Sequence, residues 1–191
     1  MKNLFKNIAL IAVSIFVLSC SDDDNNSNEP QTIADIASAN PNLSILVQAL
    51  DRAGLVATFD GTGDFTVFAP TNTAFNNFLA TTPYATINDV PVPVLTEILK
   101  NHVIGASYTS SELTTGYVKT LAKGSASSTN TLSMFVNTAS GVRLNGVSSV
   151  STADVVASNG VVHIVDAVIG LPTVVTHATA NPNFSSLVGA L

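Results

Sequence analysis

The segment Ala37-Ser-Ala-Asn-Pro-Asn-Leu-Ser-Ile-Leu-Val-Gln-Ala-Leu50 returns as Ala178-Thr-Ala-Asn-Pro-Asn-Phe-Ser-Ser-Leu-Val-Gly-Ala-Leu191, identical at ten of fourteen positions and displaced by 141 residues. A solenoid repeat spans about 20–50 residues and a globular domain about 100–150, so the displacement is that of a domain. One full copy is expected at residues 32–171, with residues 172–191 opening a second, truncated copy. Residues 174–191 are expected to form a helix bearing Phe184, Leu187, Val188 and Leu191. With no core of its own, that helix should fray or adhere to the first copy.

The N-terminus reads as a processing signal. Lys2 and Lys6 precede the apolar residues 8–18, broken only by Ser14. That run is far short of the about 20 residues a membrane-spanning helix needs. Val17-Leu18-Ser19-Cys20 follows, and Cys20 is the only cysteine, which excludes an internal disulfide framework. A small residue before a cysteine at the end of such a run resembles a bacterial lipoprotein signal. The resemblance implies a signal peptide at residues 1–19, lipidation of Cys20 and a membrane anchor, stable because such proteins carry two or three acyl chains. Residues 20–31 read as a solvated tether, with Asp22, Asp23, Asp24 and Glu29 and nothing to bury. Ser21-Asp-Asp-Asp24 is similar to the export tag of Bacteroidetes-type surface lipoproteins. That implies an outer-membrane lipoprotein exposed at the cell surface, with the periplasmic face as the alternative.

Charge excludes one large class of partners. The formal net charge is −6, and loss of Lys2 and Lys6 deepens it by two. Arg52, Lys100, Lys119, Lys123 and Arg143 are scattered rather than striped, so nucleic-acid binding has no electrostatic footprint. The absence of Trp and the three Tyr leave no aromatic platform for stacking.

Helical signals come first. Thr32-Ile-Ala-Asp35 opens a short helix with a capping arrangement. Pro41 or Asn42 starts another, with Leu43, Leu46, Val47 and Leu50 on one face and Gly54 past its end. Asp60-Gly-Thr-Gly-Asp64 is a turn before the strand Phe65-Thr-Val-Phe-Ala69. Pro70 then stops pairing, and Thr71 or Asn72 caps a helix carrying Phe75, Phe78 and Leu79. Pro93 opens the next, with an apolar stripe of Val94, Leu95, Ile98 and Leu99. After Gly105 the pattern turns to β: residues 117–121, 132–136 and 142–144, the hairpin signal Asn145-Gly146, residues 147–150, and a separate short strand at 154–157. Asn159-Gly160 leads into Val161-Val-His-Ile-Val165, apolar on both faces and hence a central strand. Helices followed by strands in one core indicate an α+β domain.

Two blocks go further, Phe65-Thr-Val-Phe-Ala-Pro-Thr-Asn-Thr-Ala-Phe75 and the stretch from Leu144-Asn-Gly-Val to Val161-Val-His-Ile-Val-Asp-Ala-Val-Ile169. They resemble the two signature segments of the fasciclin (FAS1) family, and Leu99-Lys-Asn-His102 falls where that family has a Tyr-His motif. The resemblance implies a β-rich wedge or sandwich of about seven strands with several helices packed on it, and a role in adhesion or extracellular binding. Animal members have an Asp-Ile pair and the Tyr-His segment associated with cell-surface receptors. These map to Asp154-Val155 and Asn101-His102, with Val for Ile and Asn for Tyr.

Beside that resemblance, His163 alternates with Val161 and Val165 and reads as a core histidine bonded to backbone. His102 ends a helix, where partial negative charge favours a polar or protonated ring. Gly-x-Ser-x-Gly, His-Glu-x-x-His and P-loop patterns are absent, and His102, His163 and His177 have no metal-ligand spacing. Asp60 and Asp64 read as a turn, not a calcium loop. Ser158, His163 and Asp166 would make a triad only if His163 left its apolar face. No enzyme, metal or cofactor is expected. The expected function is a lipid-anchored adhesion module for cell-surface, matrix or glycan ligands. The alternatives are polysaccharide or small-ligand capture for nutrient uptake, and a structural envelope or biofilm component.

Overall fold

Thr32 begins the folded chain by capping its own helix. Its hydroxyl accepts from the Asp35 N–H at 3.1 Å while the Asp35 carboxylate accepts from the Thr32 N–H at 2.9 Å. The computed structural model describes residues 30–125, 127 and 129–190. Helix α1 (Ile33–Ala39) leads through a 3₁₀ turn (Pro41–Leu43) into α2 (Ser44–Arg52). Gly54, at φ +66°, closes α2 in a Schellman motif: its N–H donates to Asp51 O and the Leu55 N–H to Leu50 O. A further short helix follows, α3 (Val56–Asp60), burying Phe59. Strand β1 (Phe65–Pro70), α4 (Asn72–Ala80, capped by Thr71), α5 (Val92–Asn101) and β2 (Val103–Ile104) complete the helical half.

The β-rich half is β3 (Gly116–Lys123), β4 (Thr131–Asn137), β5 (Arg143–Leu144), β6 (Ser148–Ala157) and β7 (Gly160–Val165). The strands form one sheet of order β2-β1-β7-β6-β5-β4-β3, in which only β1 and β7 pair in parallel. Alternation along the two central strands sends side chains into two cores. Val67, Ala69 and Val162 pack under α1, α2, α4 and α5 with Leu46, Phe75, Leu95 and Leu99. Phe68 and Val165 face the other way, with Met134, Val136 and Leu144 from β4 and β5. The far strands β4 and β5 thus pack across this second core against β1, β2 and β7. The expected α+β architecture of about seven strands is the one observed.

Several local expectations need correction. Val94 is exposed: α5 starts at Val92, so Val94 lies in its first turn, and of the expected stripe only Leu95, Ile98 and Leu99 are buried. Residues 147–150 and 154–157 are not two strands but the single β6, whose register against β7 shifts twice, with Asp154 at φ +61°. The tail is not one helix but α6 (Val174–Ala180), a 3₁₀ turn (Pro182–Phe184) and α7 (Ser185–Val188). Pro182 has no N–H to continue a helix and holds Asn181 extended, at ψ 114°. Of the two outcomes expected for the tail, adhesion to the first copy is the one observed: Asn181 Nδ2 donates to Tyr117 Oη at 3.3 Å.

Candidate functional site

Asn101 and His102, at the end of α5, lie wholly inside the protein. The Ile169 N–H donates to His102 Nε2 at 2.8 Å, so Nδ1 carries the proton and donates to Ile98 O at 2.8 Å. Burial pushes the His102 pKa down to about 4, against the opposing pull of the Ile98 carbonyl. The ring is therefore neutral, and desolvation outweighs the helix-end charge expected to favour protonation. Asn101 Nδ2 donates to Gly170 O at 3.0 Å, and its Oδ1 accepts from Thr120 Oγ1 at 3.2 Å. Together the two side chains tie the segment after β7 to α5 and β3. As placed, neither offers atoms to an outside partner.

Asp154 and Val155 sit at the irregularity in β6. The Asp154 carboxylate accepts from the Ser110 N–H at 2.6 Å and from the Ser110 hydroxyl. Those two bonds, the hydroxyl's first, hold its pKa below the usual range. The Asp154 N–H donates to His163 Nδ1 at 3.2 Å, while His163 Nε2–H donates to Tyr108 O at 3.0 Å. Burial pushes the His163 pKa down, so its 3.9 Å approach to Asp154 Oδ1 is not an ion pair. His163 is a core histidine bonded to backbone, stacked on Phe68. Val155 turns inward against the helical core, and its neighbour Val156, 73% exposed, is the apolar side chain shown to solvent. Beyond Ser148 and Ser149, which pair with β5, that edge of β6 has no strand partner among the described residues.

The other candidates do not converge. His163 spends both nitrogens on backbone, and Asp166 accepts from the Ser149 N–H at 2.7 Å, so Ser158, His163 and Asp166 share no hydrogen bond. Asp60 ends α3 and accepts from Thr32 Oγ1 at 3.2 Å. Among the described residues no three His, Cys, Asp or Glu are grouped to hold a metal ion, and no helix is long and apolar enough to cross a membrane. Cys20 and residues 21–29 lie outside the described residues.

One residue that sequence reasoning assigned only to a turn organises this end of the domain. Asn159 accepts the Ile33 N–H at 2.9 Å and donates to Phe59 O at 2.7 Å and Gly61 O at 2.8 Å. Asn159→Ala leaves two buried backbone groups and one partly buried one without this partner, and is expected to cost about 3 kcal/mol. Urea denaturation checks this, and a loss of under about 1 kcal/mol would rule out the staple.

The Fasciclin domain family matches residues 41–172. Protein sll1483 of Synechocystis sp. is 37% identical over 147 residues, covering 75% of each chain. The cell surface glycolipoprotein MPB83 of Mycobacterium bovis is 40% identical over 88 residues, 42% of this chain and 38% of its own. Among solved structures, a FAS1 domain pair from the insect cell adhesion molecule Fasciclin I superposes with a TM-score of 0.57 at 17% identity, over 73% of this chain and 50% of that one. With its two signature blocks on the parallel central pair and at the buried turn, this chain belongs to the fasciclin domain family.

Proposed function

We propose that the protein is a lipid-anchored adhesion and binding module displayed at the surface of a bacterial outer membrane. The observation that carries the reading is the sequence order: an apolar leader, the lone Cys20, an acidic tether, then a fasciclin domain. A cell surface glycolipoprotein and an insect cell adhesion molecule among the proteins it is similar to support the surface role. The tether sets the domain off from the bilayer, and a non-enzymatic surface module works by presenting its faces to ligands.

Cys20→Ser is expected to abolish fatty-acid labelling and move the protein from the membrane to the soluble fraction. Protease treatment of intact cells should degrade the wild type, whereas protection would place it on the periplasmic face. Cells lacking the gene should attach less to host, plant or biofilm substrates. Unchanged attachment on all of them would overturn adhesion, and unchanged fractionation of Cys20→Ser would overturn the anchor.

A further inference from the structure

We propose that residues 173–190 form the mounting face of a second fasciclin module on the same polypeptide, held in a fixed orientation on the first. The sequence repeat is also a structural repeat. Thr173 and Thr176 form the capping box of α6 as Thr32 and Asp35 form that of α1. Asn181 at φ −100°, ψ 114° repeats Asn40 at −102°, 110°, each side chain capping the 3₁₀ turn that follows.

What covers the first copy is visible in the structure. Ile33 and Leu46 are 2% and 4% exposed, sealed in the helical core. Their counterparts Val174 and Leu187 are 82% and 48% exposed, with Phe184 and Val188 beside them. The polar ties match as well. In the first copy Asn159 takes the Ile33 N–H, and Asn72 takes the Ile45 N–H at 2.9 Å while donating to Pro41 O at 2.9 Å and Ser44 Oγ at 3.0 Å. Val174, Ser186, Pro182 and Ser185 stand at the equivalent positions and are exposed. The occupant that satisfies both the apolar stripe and these groups is the body of another such module, equivalent to residues 51–171.

A second flank of α6 is already occupied by the first module. The His177 ring meets the Tyr117 ring edge-on at 5.5 Å, and Asn181 Nδ2 donates to Tyr117 Oη at 3.3 Å. A Cβ on Gly146 would come within 3.2 Å of Ala180 Cα, so the β5–β6 turn and α6 are in close contact. Round the helix, His177 and Ala180 lie about 60° and 120° from Val174, and about 160° and 140° from Val175. Ala178, about 40° from Val174, is buried, so this short helix meets the two bodies on adjoining flanks, and the pair should move as a unit.

The test extends the full chain after Leu191 with a second copy of residues 51–171 and compares hydrogen exchange with the unextended chain. Amides of residues 176–188 are expected to exchange at least about tenfold more slowly in the extended chain. Val174→Asp and Leu187→Asp should remove that protection while shifting the melting temperature of the unextended chain by under about 2 °C. Tyr117→Ala should keep the protection but broaden the intermodule distances seen by X-ray scattering. Unchanged exchange, whether the added copy folds or not, overturns the proposal. So does an unextended chain that dimerises and loses the dimer on Leu187→Asp, which would make a second copy the occupant. Surface attachment enters none of these readouts, so adhesion and mounting fail separately.

Discussion

Gly160→Ala is expected to remove much of the folding stability of the domain. Gly160 starts β7 opposite Phe65 at the head of the parallel β1–β7 pair, and its φ of +149° is open in practice to glycine alone. A Cβ there would also run into the Phe65 carbonyl and backbone. The Phe65 N–H is held by Asn159 O at 3.1 Å, so β1 cannot retreat without losing its first bond to the turn. Backbone strain alone costs about 1–3 kcal/mol, and the collision brings the expected loss to about 4 kcal/mol or more. Against a total stability of about 5–15 kcal/mol, that removes much of the margin. Thermal melting should show a drop of about 10 °C or more, or no transition at all. A melting temperature within about 3 °C of wild type would mean that β1 and β7 do not pair as described.

The parts of this fold that were legible in the sequence are those whose bonds close within a few residues. The Thr32–Asp35 box, the Gly54 Schellman end and the Thr71 cap each join groups separated by three to five positions. The Asn145-Gly146 turn is of the same kind: both residues have positive φ, and the Val147 N–H closes on Leu144 O at 3.0 Å. Helix α3 escaped notice because five residues are too few for a 3.6-residue period to declare itself. Strand β2 is shorter still and exists through its pairing with β1. The break between the two apolar stretches of β6 looks like a strand end, yet β7 carries the pairing through by register shifts, and Asp154 absorbs the irregularity in a left-handed turn of the backbone.

The site residues divide in the same way. His163 was recognisable as a core histidine because a two-residue period places it between Val161 and Val165. Ser110, the partner of Asp154, was not, since the Ser110–Asp154 contact spans 44 positions. Asn159 reaches 126 positions to Ile33 and 100 to Phe59, and an Asn-Gly pair advertises only its turn. That the tail adheres to the first copy was one of two outcomes the sequence allowed, but the sequence does not show that Tyr117 stands opposite His177 and Asn181.

Burial of His102 carries the second large expected effect, a loss of stability under mild acid. The ring is neutral in the fold with a pKa lowered from 6.5 to about 4, so between those values the unfolded chain binds the extra proton. Stability therefore rises with pH across that window, is complete above about 6.5, and declines as pH falls toward 4, by about 3 kcal/mol in all. His163 and His177 are shifted in the same direction by burial and add to the slope. Asp35, Asp89, Glu112 and Asp154 have pKa values lowered by hydrogen bonds, so what they contribute is lost at still lower pH, as it falls from their ordinary values of 3.8 to 4.5 through the lowered ones. Two separate acid phases should follow, histidines first and carboxylates second. Urea midpoints at pH 7.5 and 4.5 measure the first phase, and an NMR titration of the imidazoles assigns it. A flat stability between pH 7 and 5, or a His102 ring that titrates near 6.5 in the folded protein, would mean that the clamp on Ile169 is open to water. In that case Asn101 and His102 would be available to a ligand after all, and the surface role implied by the Tyr-His motif would return to them.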